Sequence, residues 1–148
     1  MTIRKLGRKK ENRERTLRNV ATSLILYEKI VTTEAKAKAL SPMVERLISN
    51  SLKGTLAARR DAKALLFDRN AVSKLFEDLP TRSANRTSGF VRLTKLPVRP
   101  GDGASMTQME LILTPLEEII EKESKAKVRV RKTAAVTAVS STEDNKTA

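Results

Sequence analysis

Between residues 12 and 28 the apolar side chains fall at Leu17, Val20, Ala21, Leu24 and Ile25, the stripe of an amphipathic helix. At about 100° per residue, Arg15, Arg18, Asn19, Thr22 and Lys29 gather on the opposite side. The pattern predicts one helix with an apolar face for a core and a cationic, hydrogen-bonding face for a partner. KIVTT (29–33) is short and β-branched, which predicts a strand. Thr33 ahead of Glu34 predicts the cap of a second helix, in which Ala37, Leu40, Val44, Leu47 and Ile48 share a face. Pro42 interrupts that helix without breaking its apolar phase. A kink, or a restart capped by Ser41, is expected there.

Gly54 ends the second helix, and TLAARRDAKALLF (55–67) reads as a third. Asn70 is the expected cap of a fourth segment, striped by Val72, Leu75, Phe76 and Leu79 and closed by Pro80. The polar stretch 81–89 is expected to be a loop. FVRLTKL (90–96) and SMTQMELIL (105–113) predict two strands, with Val91 and Leu93 on one face of the first and Met109, Leu111 and Leu113 on one face of the second. PVRPGDGA between them predicts a hairpin with a long connection. Helix, strand, three helices and two strands make a two-layer α+β fold, a three-stranded sheet covered by helices. The expected organisation is an extended basic arm (1–11), a globular domain (12–115), and a helical turn followed by a flexible tail (116–148).

Charge sharpens this picture. Lys and Arg number 30 against 17 Asp and Glu, a net +13, and the excess is clustered. Arg4, Lys5, Arg8, Lys9, Lys10, Arg13, Arg15 and Arg18 all precede Asn19, opposed only by Glu11 and Glu14. A second group, Arg82, Arg86, Arg92, Lys95 and Arg99, lies in a stretch (81–99) without an acid. Arg59 and Arg60 form a weaker third; one is expected to pair with Asp61 or Asp68 and the other to face solvent or a phosphate. Such dispersed cations suit phosphate oxygens by Coulomb attraction and counterion release, and they favour shape and backbone recognition over base reading. With three Phe, one Tyr and no Trp, an extended base-stacking platform is not expected.

The missing residue types matter as much. Without Cys or His there is no thiolate nucleophile, no imidazole acid–base chemistry and no Cys/His zinc site. Asp102 and Glu110 could be imagined as the metal-binding pair of a nuclease, but Asp102 sits in a PGDG turn and a single outward Glu on a strand is ordinary; Glu117, Glu118, Glu121 and Glu123 have no partner His. No phosphate-binding glycine loop occurs. The expectation is no enzyme, no catalytic or metal-ligating residue and no cofactor. No apolar run reaches the ~18 residues of a membrane helix. The rival reading is a DNA-binding regulator or architectural protein with a helix-turn-helix. Charge spread around the molecule, instead of along one recognition helix, favours folded RNA.

The stretches IRKLGRKKENR, LRNVATSLILYEKIVTTEAKAKAL, DRNAVSKLF, RTSGFVRLTKL and RPGDGASMTQMEL, in this order, resemble the bacterial large-subunit ribosomal protein seventeen family over about residues 3–113. The resemblance implies the same α+β fold, a structural role in translation, and binding to large-subunit rRNA near the outer end of the peptide exit tunnel. It implies neighbouring ribosomal proteins as partners, cytoplasmic ribosomes as the location, and neither a membrane nor a homo-oligomer. By position it marks Arg4, Lys5, Gly7, Arg8 and Arg13, and the loop around Arg82, Arg86 and Gly89, as facing rRNA. Family members commonly carry His near the positions of Ile3, Arg15 and Tyr27, which this chain lacks. The full expected RNA-binding set adds Lys9, Lys10, Arg15, Arg18, Asn19, Thr22, Arg59, Arg60 and Arg92.

Overall fold

In the computed structural model, residues 4–83 and 86–114 are described. The expected tail from 116 onward lies outside them, as do Met1–Ile3 and the centre of the 81–89 stretch. Helix α1 spans Lys10–Tyr27, two residues earlier at its start than the apolar stripe requires. Charged residues propagate a helix once an apolar stripe anchors it, so the stripe underestimates the N-terminal turn. Glu28 closes α1 with φ 62°, its N–H reaching the Leu24 carbonyl at 2.8 Å. Strand β1 follows at Lys29–Thr33, then α2 at Glu34–Leu52.

Helix α2 runs as one element through Pro42. Thr33 occupies its N-cap position without a side-chain hydrogen bond. The Glu34 N–H is satisfied instead by the Ser105 carbonyl at 3.0 Å, a tertiary partner invisible to local capping rules. Helix α3 spans Leu56–Leu65, capped by Thr55, and α4 spans Arg69–Glu77. The cap of α4 is Asp68, whose carboxylate accepts from the Asn70 N–H at 2.8 Å; Asn70 itself lies inside the helix. Pro80 does not close the segment. It sits in a further short helix, α5 (Leu79–Ser83), where its missing N–H costs nothing in the first turn. Thr81, Arg82 and Ser83 are therefore helical, and the expected loop is correspondingly shorter.

Strands β2 (Val91–Leu96) and β3 (Met106–Leu111) complete an antiparallel sheet of order β1-β3-β2. The register sets Ile30, Met109 and Leu93 side by side on one face. Lys29, Glu110 and Arg92 fall on the other. The first face meets α1 and α2, where Leu24, Ile25, Leu40, Val44, Ile48 and Met109 are fully buried. Phe90, just ahead of β2, is the one aromatic side chain sealed in that core. Leu93 shares the core-facing side yet stays open, because β2 is an edge strand. Burying a leucine such as Leu24 fully is worth about 2 kcal/mol by transfer, and emptying the site costs more, about 3 kcal/mol.

Ahead of α1, residues 4–9 form neither helix nor strand, but they are not featureless. Leu6 and Gly7 both have positive φ (56° and 61°), and the Arg8 N–H returns to the Lys5 carbonyl at 3.2 Å. A turn with two left-handed central residues is unfavourable for leucine. Packing of Leu6 against the core compensates. Residues 4–9 thus turn back on their own domain.

Candidate nucleic-acid interface

The three groups of cations fare differently in the fold, for reasons that can be followed residue by residue. The first lies where residues 4–9 meet the start of α1. Arg8 Nη1 donates to Thr16 Oγ1 at 3.0 Å, tying the turn to α1. Arg4 and Arg13 line a groove whose far wall is α2, with Lys38 and Arg46. Its floor is aliphatic, including Leu17, Pro42 and Met43, and among the described residues the one acid on its rim is Asp61. Arg4, Arg13 and Arg46 make no ion pair among the described residues, whereas Lys38 bonds to Glu34 four positions earlier. The Lys38 ammonium, first by hydrogen bond and then by charge, holds the Glu34 carboxyl below its ordinary range.

Lys5, Lys9 and Lys10, between Arg4 and Arg13 in sequence, are exposed, and no ion pair among the described residues occupies them. Farther along α1, Arg15 pairs with Glu11 at 3.0 Å, both well exposed, a contact worth only a few tenths of a kcal/mol and easily exchanged for a phosphate. Asn19 is exposed and Arg18 half-buried on the outer side. Thr22 departs from the expectation. Its side chain is buried: Oγ1 donates to the Arg18 carbonyl at 2.8 Å and accepts from the Phe67 N–H at 3.4 Å. Its hydroxyl fastens the α3–α4 junction to α1 and is spent on the fold.

Lys38 and Arg46 were not singled out from the sequence. They bracket Pro42 at intervals of four, so the signal was a cation–apolar–cation ridge on one helical face. The ridge is hard to see in sequence because Pro42, a residue that ordinarily interrupts a helix, sits at its centre.

The second cluster comes apart. Arg82, expected to face rRNA, is the most buried of the ion-paired arginines. Its Nη1 and Nη2 donate to both oxygens of Glu28 at 2.7 and 3.0 Å, and Nη1 also donates to Asp78 at 3.1 Å. Lys74 joins Glu28 from α4 at 2.6 Å, and its ammonium also caps the Leu26 carbonyl at 2.9 Å. The Arg82 guanidinium, ahead of Lys74, holds the Glu28 carboxyl below its usual range, and Glu28 in turn raises Arg82. The physical reason is α5: as a helix it turns Arg82 inward onto the C-terminus of α1, where cations are favoured. Arg86 is exposed, whereas Arg92 pairs with Glu110 across β2 and β3 at 3.1 Å. Gly89 has φ 70° and Gly7 φ 61°, so both glycines are required by the backbone itself.

Arg99 and Asp102 close the β2–β3 connection with two hydrogen bonds, at 3.0 and 2.5 Å. Arg99, ahead of the Ala104 N–H, pulls the Asp102 carboxyl down to about 2. Both carboxylates imagined as a nuclease pair are thus engaged by their own arginines, Asp102 by Arg99 and Glu110 by Arg92.

The third group lies on α3. Arg59 lies over the Phe76 ring at 5.3 Å and reaches Glu77 at 3.7 Å, instead of the expected Asp61 or Asp68. Arg60 is exposed and unpaired among the described residues. No described helix is long and apolar enough to cross a membrane.

Comparison with known proteins gives a consistent result. The family model described as Ribosomal protein L17 matches residues 16–112. A protein named large ribosomal subunit protein bL17 from Chloroherpeton thalassium is 45% identical over 109 residues, covering 74% of this chain and 64% of its own. One of the same name from Caldanaerobacter subterraneus subsp. tengcongensis is 43% identical over 112 residues, 76% of this chain and its own whole length. Another, from Carboxydothermus hydrogenoformans, is 44% identical over 108 residues, 73% of this chain and 96% of that one.

Proposed function

The chain belongs to the ribosomal protein L17 family, and from that premise we propose that it is a structural component of the bacterial-type large ribosomal subunit. Its role is to bind and hold large-subunit rRNA near the peptide exit tunnel, without catalysis. The observation that carries the reading is the convergence of Arg4, Arg13 and Arg46 on one groove, with no carboxylate among the described residues paired to them. Cations left unpaired and packed around a common groove repel one another, and a polyanion relieves that repulsion. Lys5, Arg8, Lys9 and Lys10 neighbour these cations in sequence, while Arg15, Arg18 and Asn19 offer a second cationic and hydrogen-bonding face on the other side of α1. Arg60, Arg86 and Arg92 add contacts elsewhere, and Gly7 and Gly89 shape the chain beside them. Arg82 and Thr22 leave the interface; they position it.

The partners are rRNA and the neighbouring ribosomal proteins, and the location is the ribosome. Sedimentation tests this reading. Tagged protein should travel with large subunits through a gradient at moderate salt and be stripped at high salt, as an electrostatic anchor demands. Protein remaining at the top of the gradient under moderate salt contradicts it.

A further inference from the structure

The junction between α3 and α4 presents an aromatic ring to solvent in a chain that has only three Phe and one Tyr. Leu66 turns into the core, whereas the neighbouring Phe67 turns out and is 57% exposed. The junction is not a loose loop. Leu66 N–H bonds to the Ala62 carbonyl at 2.8 Å, the Phe67 N–H to Thr22 Oγ1, and Asp68 caps α4. The backbone is therefore held on both sides of the ring, and the fold supports its display.

The ring borders a cleft of about 660 Å³, within the range of small-ligand sites. Arg59 and Lys63, four apart on α3, stand along one wall, and Arg69 begins α4 on the other, with the Ser73 hydroxyl one turn on. Two acids are also present. Asp68 is committed to its cap, and Glu77 lies beside Arg59. An apolar ring bordered by three cations and a hydroxyl is poorly suited to an aliphatic protein surface, which would desolvate those charges without compensation. It suits a nucleotide, whose base offers a flat face and whose phosphates offer charge.

We propose that this cleft takes one unstacked nucleotide of the bound RNA, its base against Phe67 and its flanking phosphates on Arg59, Lys63 and Arg69. The proposal rests on the rRNA-binding reading and assigns it a subsite away from the Arg4–Arg46 groove. It goes beyond phosphate anchoring, because a stacked base restricts that position to single-stranded or bulged RNA.

The chain has no Trp, so Phe67→Trp places its only indole at the site. Deproteinised large-subunit rRNA, and separately a single-stranded oligoadenylate, are titrated against this variant, wild type and Phe67→Leu. The expected results are quenching of the indole by both RNAs and rRNA affinity close to wild type. Phe67→Leu should bind rRNA about 5- to 150-fold more weakly, the equilibrium worth of one base–aromatic stack. Because Phe67 is exposed, Phe67→Leu should melt like wild type, which separates stacking from misfolding. Unquenched indole on bound RNA, or Phe67→Leu affinity within twofold of wild type, overturns the subsite while leaving rRNA binding standing. Wild type that fails to bind rRNA at all overturns the underlying reading instead.

Discussion

Glu28 ends α1 in a left-handed conformation and gathers Arg82, Lys74 and, through Arg82, Asp78. Four charged groups on α1, α4 and α5 are thereby fixed relative to one another. Because Arg82 is largely enclosed, replacing it with Met leaves two carboxylates facing each other with only Lys74 to offset them. We expect a loss of about 2–3 kcal/mol, read as a fall in Tm of about 10 °C or more for a domain of this size. Acid pH gives an independent check. The Glu28 carboxyl is held below its ordinary 4.5, so its stabilisation is fully present above that value and is lost as pH falls through the lowered one. Glu34 and Asp102 are lowered too and act in the same sense, so the informative quantity is the difference from Glu28→Gln. Wild-type Tm should fall more steeply below pH 4.5 than that of the variant. Parallel curves would mean the network adds nothing. Arg82 also marks where a charge pattern misleads: it opens an acid-free stretch, yet Asp78 lies one turn before it and Glu28 reaches it from 54 residues away in sequence.

At the scale of elements, local rules work where the determinants are local and fail where contact is distant. The apolar stripes of α1 and α2, the β-branched run of β1 and the Pro/Gly connection before β3 place their elements within a residue or two. The cap of α2 could not be read, because Ser105 supplies it, and α5 has too few residues to show a period. Residues 4–9 combine two roles that a stretch of charge conceals. Leu6 anchors the turn to the core and Arg8 ties it to Thr16, while Arg4, Lys5 and Lys9 make no ion pair among the described residues. Leu6→Ala should therefore lower stability by about 1–2 kcal/mol in denaturant unfolding. Arg4→Gln together with Lys5→Gln should leave unfolding unchanged and weaken rRNA binding. If the cation pair instead costs stability and spares binding, the division of labour within this segment is wrong.

For the molecule as a whole, an aliphatic core holds a sheet and two long helices, and that scaffold places cations from distant parts of the chain on common surfaces. The fold class was legible in the sequence because the periodicities were clear. The electrostatic surface was legible only as a net excess of charge, since pairing is decided by tertiary geometry. It leaves Arg4, Arg13 and Arg46 without an ion pair among the described residues and engages Arg82 with Glu28 and Asp78. The most direct measurement of this claim is the salt dependence of affinity for deproteinised large-subunit rRNA. With about six phosphates neutralised, the logarithm of the association constant should fall against the logarithm of salt with a slope of about −4 to −5. A slope near zero would mean the cations do not meet phosphates, and the account would be contradicted.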